Sequence, residues 1–288
     1  MPSALVLIDK QQGWTSHDVV AKLRGILGTR KIGHAGTLDP MATGLLVLGV
    51  EGGTKLLQFI SGSYKQYLAT IRLGASTHTD DAEGEILSST SAVGVSAEQI
   101  DAEIAKLTGE ITQIPSSVSA IKVDGKRAYD LVREGQEVEL KGRQVTVSSF
   151  QRTSDPRKVG EYLDFDVVVD CSSGTYIRAL ARDIGAAIGV GGHLTALRRT
   201  KIGNFDLANA SEIDKPPVAI PLREAVLKLF PAIELTSDQA QDIVHGKRIA
   251  LEASGIIAAT WNSELLAVLE PVGTELKSVV VFPEAFNA

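Results

Sequence analysis

Residues 33–49, GHAGTLDPMATGLLVLG, place one carboxylate, Asp39, in a glycine-rich turn immediately before an apolar strand. That is how a reactive acid is presented at a cleft. Asp39 precedes Pro40, which disfavours the helical region and holds it extended. Gly33, Gly36 and Gly44 permit sharp turns and a close ligand approach that side chains would block. His34 and Thr37 add polar groups nearby. On spacing alone the stretch also reads as an ordinary loop whose Asp begins a turn before proline, so the flanking sequence has to decide.

Upstream, residues 4–9, ALVLID, read as a strand. Ser16 is placed to cap a helix through Leu27 whose Val19, Val20, Leu23, Ile26 and Leu27 share one face before Gly28 ends it. Downstream come a buried strand (45–50), a short helix (54–60) and an extended segment (64–73) with Tyr67, Ala69, Ile71 and Leu73 on one face. Ser96 with Gln99 makes a capping box for a helix through Leu107. Asp124-Gly125 signals a hairpin, followed by a short helix from Tyr129 to Glu134. Strands at Val138 to Phe150 and Tyr162 to Cys171 precede a helix over about 175–188. Hairpins mixed with helices, without βαβ alternation, predict an α+β body on a mixed, largely antiparallel central sheet flanked by helices. Pro216, Pro217 and Pro221 break the pattern. The expected organisation is a domain over 1–210, a linker over 211–224 and a small β-rich domain over 225–288, with strands near 255–260, 265–269 and 278–282.

The 288 residues are 44% hydrophobic and 22% charged, enough for a large core or two domains of a soluble globular protein. The apolar run Leu45 to Val50 is far short of the ~20 residues a membrane helix needs. The start MPSALVLIDK lacks a signal peptide's basic opening, so a cytoplasmic protein without membrane contact is expected. One cysteine, Cys171, and five scattered histidines predict no disulfide, metal or redox chemistry. The net charge of −6 runs against nucleic-acid binding, where Lys and Arg contacts to phosphate dominate. Its distribution is uneven. Residues 1–208 carry 23 Lys+Arg against 24 Asp+Glu, and residues 209–288 carry 6 against 11. Basic residues cluster at Lys22, Arg24, Arg30 and Lys31, at Lys122, Lys126 and Arg127, and at Arg198, Arg199 and Lys201. Such clusters are ordinarily solvated faces; three of them flanking the motifs tilt the reading towards an RNA-facing surface.

GHAGTLDPMATGLLVLG resembles the catalytic motif of the TruB family, the tRNA pseudouridine-55 synthases. Four further segments resemble that family in the same order: Tyr64-Lys65-Gln66-Tyr67, THTDDAEGEIL, IPSSVSAIKVDGKRAYDLVREG and CSSGTYIRALARDIG. The resemblance spans roughly residues 5 to 205. It implies the pseudouridine-synthase fold, a bacterial-type C-terminal PUA-like domain, a monomer, the T arm of tRNA as partner, and no cofactor. LTSDQAQDIVHGKRI is similar to the start of such a PUA-like domain, although the acidity of the tail argues against a strong RNA grip there.

The implied reaction breaks the N1–C1′ bond of uridine, turns the uracil while it stays bound, and rejoins it through C5. A carboxylate suits this work because it can attack C1′ or C6, or stabilise positive charge on the ribose, without a cofactor. The resemblance assigns it to Asp39. To act inside a pocket the carboxylate must be ionised, and the family pairs it with the arginine of G-T-Y-I-R, here Arg178, whose planar fork can hold it bidentately. Tyr67 is assigned to stack on the base and to move a proton. Gly36, Thr37, Leu38 and Tyr176 are placed around the base, and His34 follows the flipped nucleotide. Lys22, Arg30, Lys31, Lys122, Arg198 and Arg199 are expected at RNA phosphates, and Arg182 at a phosphate or at a neighbour such as Asp183. Without the resemblance, Tyr67 and Tyr176 read as packing residues, Arg178 as a surface arginine and His34 as a turn residue. The chain departs from the family in having Lys10-Gln11-Gln12-Gly13 for K-P-x-G, which bears on the rigidity of that turn, and Val118 for a tyrosine near the pocket. Two other functions remain open to the sequence: a tRNA-binding folding module, and an N-glycosidase that releases uracil.

Overall fold

The computed structural model describes residues 2–116, 122–123, 126–127 and 141–286, with residues 122, 123, 126, 127 and 285 described by their backbone alone. The Asp124-Gly125 turn, the helix expected over 129–134, the first residues of the strand expected from 138, and Val118 lie outside the described residues. Lys122–Val123 and Lys126–Arg127 pair antiparallel on either side of that turn.

A long mixed sheet forms the body. Its spatial order is Ser211–Glu212, Ala4–Lys10, Thr43–Val50, Gly192–Ile202, Lys65–Leu73, Tyr162–Cys171, Arg143–Arg152 and Gly109–Gln113. Most neighbours run antiparallel; Thr43–Val50 and Gly192–Ile202 are parallel at the centre. Alternation decides the faces, because successive strand residues point to opposite sides. Tyr67, Ala69, Ile71 and Leu73 are buried on one side, with Phe165, Val167, Leu180, Ile184 and Leu194 in the same core. The other side of those strands carries the cross-strand pairs Gln66–Asp170, Thr70–Asp166 and Arg72–Asp164.

The helix Ser16–Leu27 lays Val19, Val20 and Leu23 against Ile8, Leu46 and Leu48. Burying each such side chain stabilises the fold by about 1.5–3 kcal/mol. Its cap is Thr15, one residue before the expected Ser16: Thr15 and Asp18 form a reciprocal capping box. That frees the Ser16 hydroxyl for the site described below. The second expected cap, Ser96 with Gln99, opens the helix Ala97–Lys106.

The segment expected as a linker is part of the sheet. Ser211–Glu212 pairs parallel to Ile8–Asp9, and Ala219–Pro221 pairs antiparallel to residues 4–6. Proline ends strands and helices without preventing edge pairing, which is why the Pro-rich composition misled. Beyond it, strands Ala232–Glu234, Ile257–Trp261, Glu264–Val272 and Glu275–Val281 form a four-stranded sheet, with the helix Ser237–Val244 over it. One face of this unit packs into the body: Ala258, Leu265, Val268, Val280 and Phe282 share a core with Leu5, Leu7, Leu45 and Val47.

Candidate active site

Strand Ile32–Ala35 pairs antiparallel with Thr43–Val50, so the chain must turn between them, and Asp39 sits in that turn. Gly44 makes the crossing possible: at φ +99°, a Cβ there would lie 2.3 Å from the Arg199 carbonyl oxygen of the neighbouring strand. Three contacts fix the turn from outside. The buried Ser16 hydroxyl accepts from the Leu38 N–H at 2.9 Å and donates to the Leu38 carbonyl at 3.2 Å. The Gly13 N–H donates to the Pro40 carbonyl at 2.9 Å. Lys10, fully buried, donates to the Trp14, Gln11 and Pro40 carbonyls. Burial pushes the Lys10 ammonium down to about 8, against the pull of the Asp39 and Glu83 carboxylates. The altered Lys10–Gly13 turn thus still clamps the residue after Asp39.

Arg178 comes to Asp39 from the first turn of the helix Ile177–Ile188. Its Nη2 lies 2.9 Å from Asp39 Oδ2, its Nη1 lies 3.1 Å from Asp81 Oδ2, and Nη1 also donates to the Thr79 carbonyl at 2.8 Å. The Arg178 side chain is 6% exposed and that of Asp81 4%, whereas Asp39 is 41% exposed. The guanidinium is therefore spent inside the protein while the carboxylate faces the cleft. Asp81 belongs to the aspartate-rich loop, whose residues 80 and 81 are also tied to Leu194 of the central sheet. Glu83, beside it, has its carboxyl pushed up by partial burial and by the Asp81 and Asp39 charges.

Tyr176 precedes that helix without a side-chain cap. Gln113 supplies one from another strand: its Oε1 accepts from the Tyr176 N–H at 2.8 Å and its Nε2 donates to the Tyr176 carbonyl at 3.0 Å. Arg182, one turn on, pairs with Asp80 and Asp183 and donates to the Ile114 carbonyl at 2.7 Å.

These groups open onto a cleft of about 560 Å³, lined among others by Gly36, Thr37, Leu38, Asp39, Lys65, Tyr67, Arg143, Tyr176, Arg178 and Arg199. Tyr67 is 7% exposed and directly opposite Arg199 in the sheet register. Burial pushes its hydroxyl above the ordinary phenol value, opposed by the Arg199 charge, so it stands as a neutral donor. Lys65, on the same face of the strand, donates to the Ser61 and Ser63 carbonyls, and burial lowers it to about 8.

Asp39, Arg178, Tyr67, Tyr176, Gly36, Thr37 and Leu38 thus line one cleft. His34 lies on the adjoining strand, edge-on to His17 at 5.6 Å, and is not among the cleft-lining residues; its Nδ1 has no hydrogen-bond partner among the described residues, and burial holds its imidazole below the ordinary histidine value. Lys22, Arg30 and Lys31 are exposed near the same helix, with Lys22 3.8 Å from Asp214. The Lys122 side chain lies outside the described residues. Arg198 is engaged with Asp9 at 2.6 Å. Arg199 corrects the surface expectation: it is 1% exposed and donates to the Leu45 and Gly36 carbonyls, so it holds the cleft floor together. Ser16, Gln113, Lys65, Asp81 and Arg143 were not assigned to the site from sequence. Lys65 and Asp81 lay inside quoted motifs; Ser16 and Gln113 carried no local signal for these contacts, because their partners are 22 and 63 residues away. Among the described residues no group of three or more His, Cys, Asp or Glu could hold a metal, and no helix is long and apolar enough to cross a membrane.

A carboxylate paired with a buried arginine beside a buried tyrosine, on a mixed sheet with a β-rich companion, is the arrangement that the resemblance to pseudouridine synthases implies. The fold is that of a chain in an H/ACA RNP bound to a substrate RNA containing 2′-deoxyuridine (TM-score 0.69, 23% identity, 97% of this chain and 84% of that one). A chain of a Cbf5-Nop10-Gar1 complex matches equally (TM-score 0.67, 24% identity, 97% and 84%). Residues 24–177 match the family model "TruB family pseudouridylate synthase (N terminal domain)", residues 178–215 "tRNA pseudouridylate synthase B C-terminal domain" and residues 230–283 "tRNA Pseudouridine synthase II, C terminal". The chain belongs to the TruB family. It is 54% identical to the tRNA pseudouridine synthase B of Leifsonia xyli subsp. xyli, over 98% of this chain and 97% of that protein. It is 52% identical to the enzyme of that name from Mycobacterium ulcerans (strain Agy99), over 98% and 95%.

Proposed function

We propose that this chain converts uridine 55 of the tRNA T loop to pseudouridine, with Asp39 as the reacting carboxylate. The observation that carries the reading is the 2.9 Å pair between half-exposed Asp39 and buried Arg178. Charge on the carboxylate is compensated from the protein side, and its free edge is left to the substrate. Tyr67 offers a ring face to the flipped uracil and a neutral hydroxyl as a proton donor. Extruding the base from the loop costs a few kcal/mol, which contacts around the cleft must return. No step of this isomerisation changes oxidation state, so the reaction asks for no cofactor. The body carries the chemistry, the residues from 225 onward form the companion unit, and the protein works as a cytoplasmic monomer.

The test is incubation with an unmodified tRNA transcript, mapping pseudouridine at single-nucleotide resolution for the wild type and for Asp39→Asn. Pseudouridine at position 55 with the wild type alone is expected. A wild type that binds the transcript without modifying it overturns the catalytic reading and leaves an RNA-folding role; released uracil with an abasic ribose indicates a glycosidase.

A further inference from the structure

We propose that Arg143 grips a backbone phosphate of the RNA immediately beside the target uridine, a contact that rests on the isomerase reading above. Among the described residues, four cations line the cleft: Lys65, Arg143, Arg178 and Arg199. Three are already committed. Arg178 holds Asp39, Asp81 and the Thr79 carbonyl; Arg199 holds two main-chain carbonyls; Lys65 holds two more. The Arg143 guanidinium is exposed and has neither an acidic nor a carbonyl partner among the described residues.

Its placement is fixed all the same. Arg143 opens the strand Arg143–Arg152, shares a face with buried Val145 and Val147, and pairs in register with Gln113. Gln113 is the residue that clamps the Tyr176 peptide. The backbone beneath Arg143 is therefore bolted to the helix bearing Arg178, while its side chain is free at the cleft rim. A rigidly based, unpaired arginine at a water-filled rim calls for an anion, and its fork suits phosphate oxygens. A nucleotide whose base enters this cleft brings its own two flanking phosphates to the rim. Asp39, the one carboxylate among the described lining residues, is already paired with Arg178. Arg143 thus fixes the flipped nucleotide by its backbone, complementing the base contacts in the cleft.

The experiment measures binding of a T-arm stem-loop RNA by the full chain over a range of KCl concentrations, for the wild type, Arg143→Gln and Arg143→Lys. Arg143→Gln is expected to weaken binding about tenfold, and to reduce the steepness of log Kd against log salt by about 0.7–0.9, the value of one neutralised phosphate. Arg143→Lys retains most of the salt slope. Replacing each flanking phosphate in turn by a neutral methylphosphonate locates the contact: at one position the penalty seen with wild type vanishes in Arg143→Gln. An unchanged salt slope in Arg143→Gln, or equal penalties in both proteins at both positions, overturns the proposal. If the slope changes as expected while the wild type forms no pseudouridine, the phosphate contact stands and the isomerase reading fails.

Discussion

Replacing Ser16 by alanine isolates the brace behind the catalytic turn. The residue is 1% exposed, and its single hydroxyl both accepts from and donates to the Leu38 peptide, at 2.9 and 3.2 Å. Its removal leaves a buried N–H and a buried C=O unpaired, each costing about 1–3 kcal/mol. A loss of about 2–4 kcal/mol is expected, below the ~5–15 kcal/mol by which domains are stable, so the variant still folds. The helix cap is untouched because Thr15 supplies it. The damage to function is more specific. Leu38 is joined directly to Asp39, and a shift of about 1 Å at a reacting group can lower a rate ~100-fold. Urea unfolding at constant m gives the stability term, and single-turnover pseudouridine formation at saturating RNA gives the rate. We expect a 10- to 100-fold slower rate with RNA affinity nearly unchanged, because the hydroxyl does not line the cleft. A stability change below about 0.5 kcal/mol with an unaltered rate would refute the brace.

Arg178→Lys keeps the charge but cannot serve Asp39, Asp81 and the Thr79 carbonyl together; turnover is expected to fall at least ~100-fold with tRNA binding retained, and a wild-type rate would show that the fork is dispensable. Tyr67→Phe keeps the ring and removes the hydroxyl. RNA affinity should persist while single-turnover chemistry is lost, and a fully active variant would reduce Tyr67 to a stacking residue. Lys10 and Lys65 stand at about 8 in the folded chain against 10.5 ordinarily. Between those values the unfolded chain binds more protons, so their contribution makes stability rise with pH above 8 and gives no such gain below it. Tyr67, raised above 10.0, works the other way beyond pH 10. Urea midpoints from pH 7 to 10 should climb more steeply for wild type than for Lys65→Met; parallel curves would contradict the assignment.

The turn, the helix Ser16–Leu27 and the strand Lys65–Leu73 were legible because their determinants are local: glycines, a proline and period-2 or period-3.6 apolar spacing. Asp39, Tyr67 and Arg178 were legible only through resemblance, since each alone reads as a turn, core or surface residue. The central strand Gly192–Ile202 was missed. Its Arg198, Arg199 and Lys201 read as a basic cluster, yet Arg199 is buried, with its guanidinium on the carbonyls of Leu45 and Gly36, both far away in sequence. Nothing within eleven residues could announce that. The same holds for Ser16, which looked like a cap, and for Gln113, whose reciprocal bonds to Tyr176 bridge 63 residues.

The net charge of −6 is no obstacle to RNA binding once the charges are placed. Five of the six excess acids fall after residue 208. Within the body, the other face of the sheet neutralises two of its own acids: Arg72 pairs with Asp164 and Arg157 with Asp166. On the cleft side the balance among the described residues reverses, with Lys65, Arg143, Arg178 and Arg199 facing a single carboxylate. A polyanion approaching such a surface responds to the local field within about 10 Å at 0.1 M salt rather than to the sum over the chain. Three of those four cations are spent holding the cleft in shape, so they stabilise the site electrostatically without being free to move towards the substrate. That division, fixed cations inside and one free cation at the rim among the described residues, is what lets a net acidic chain hold a carboxylate ready and still admit RNA.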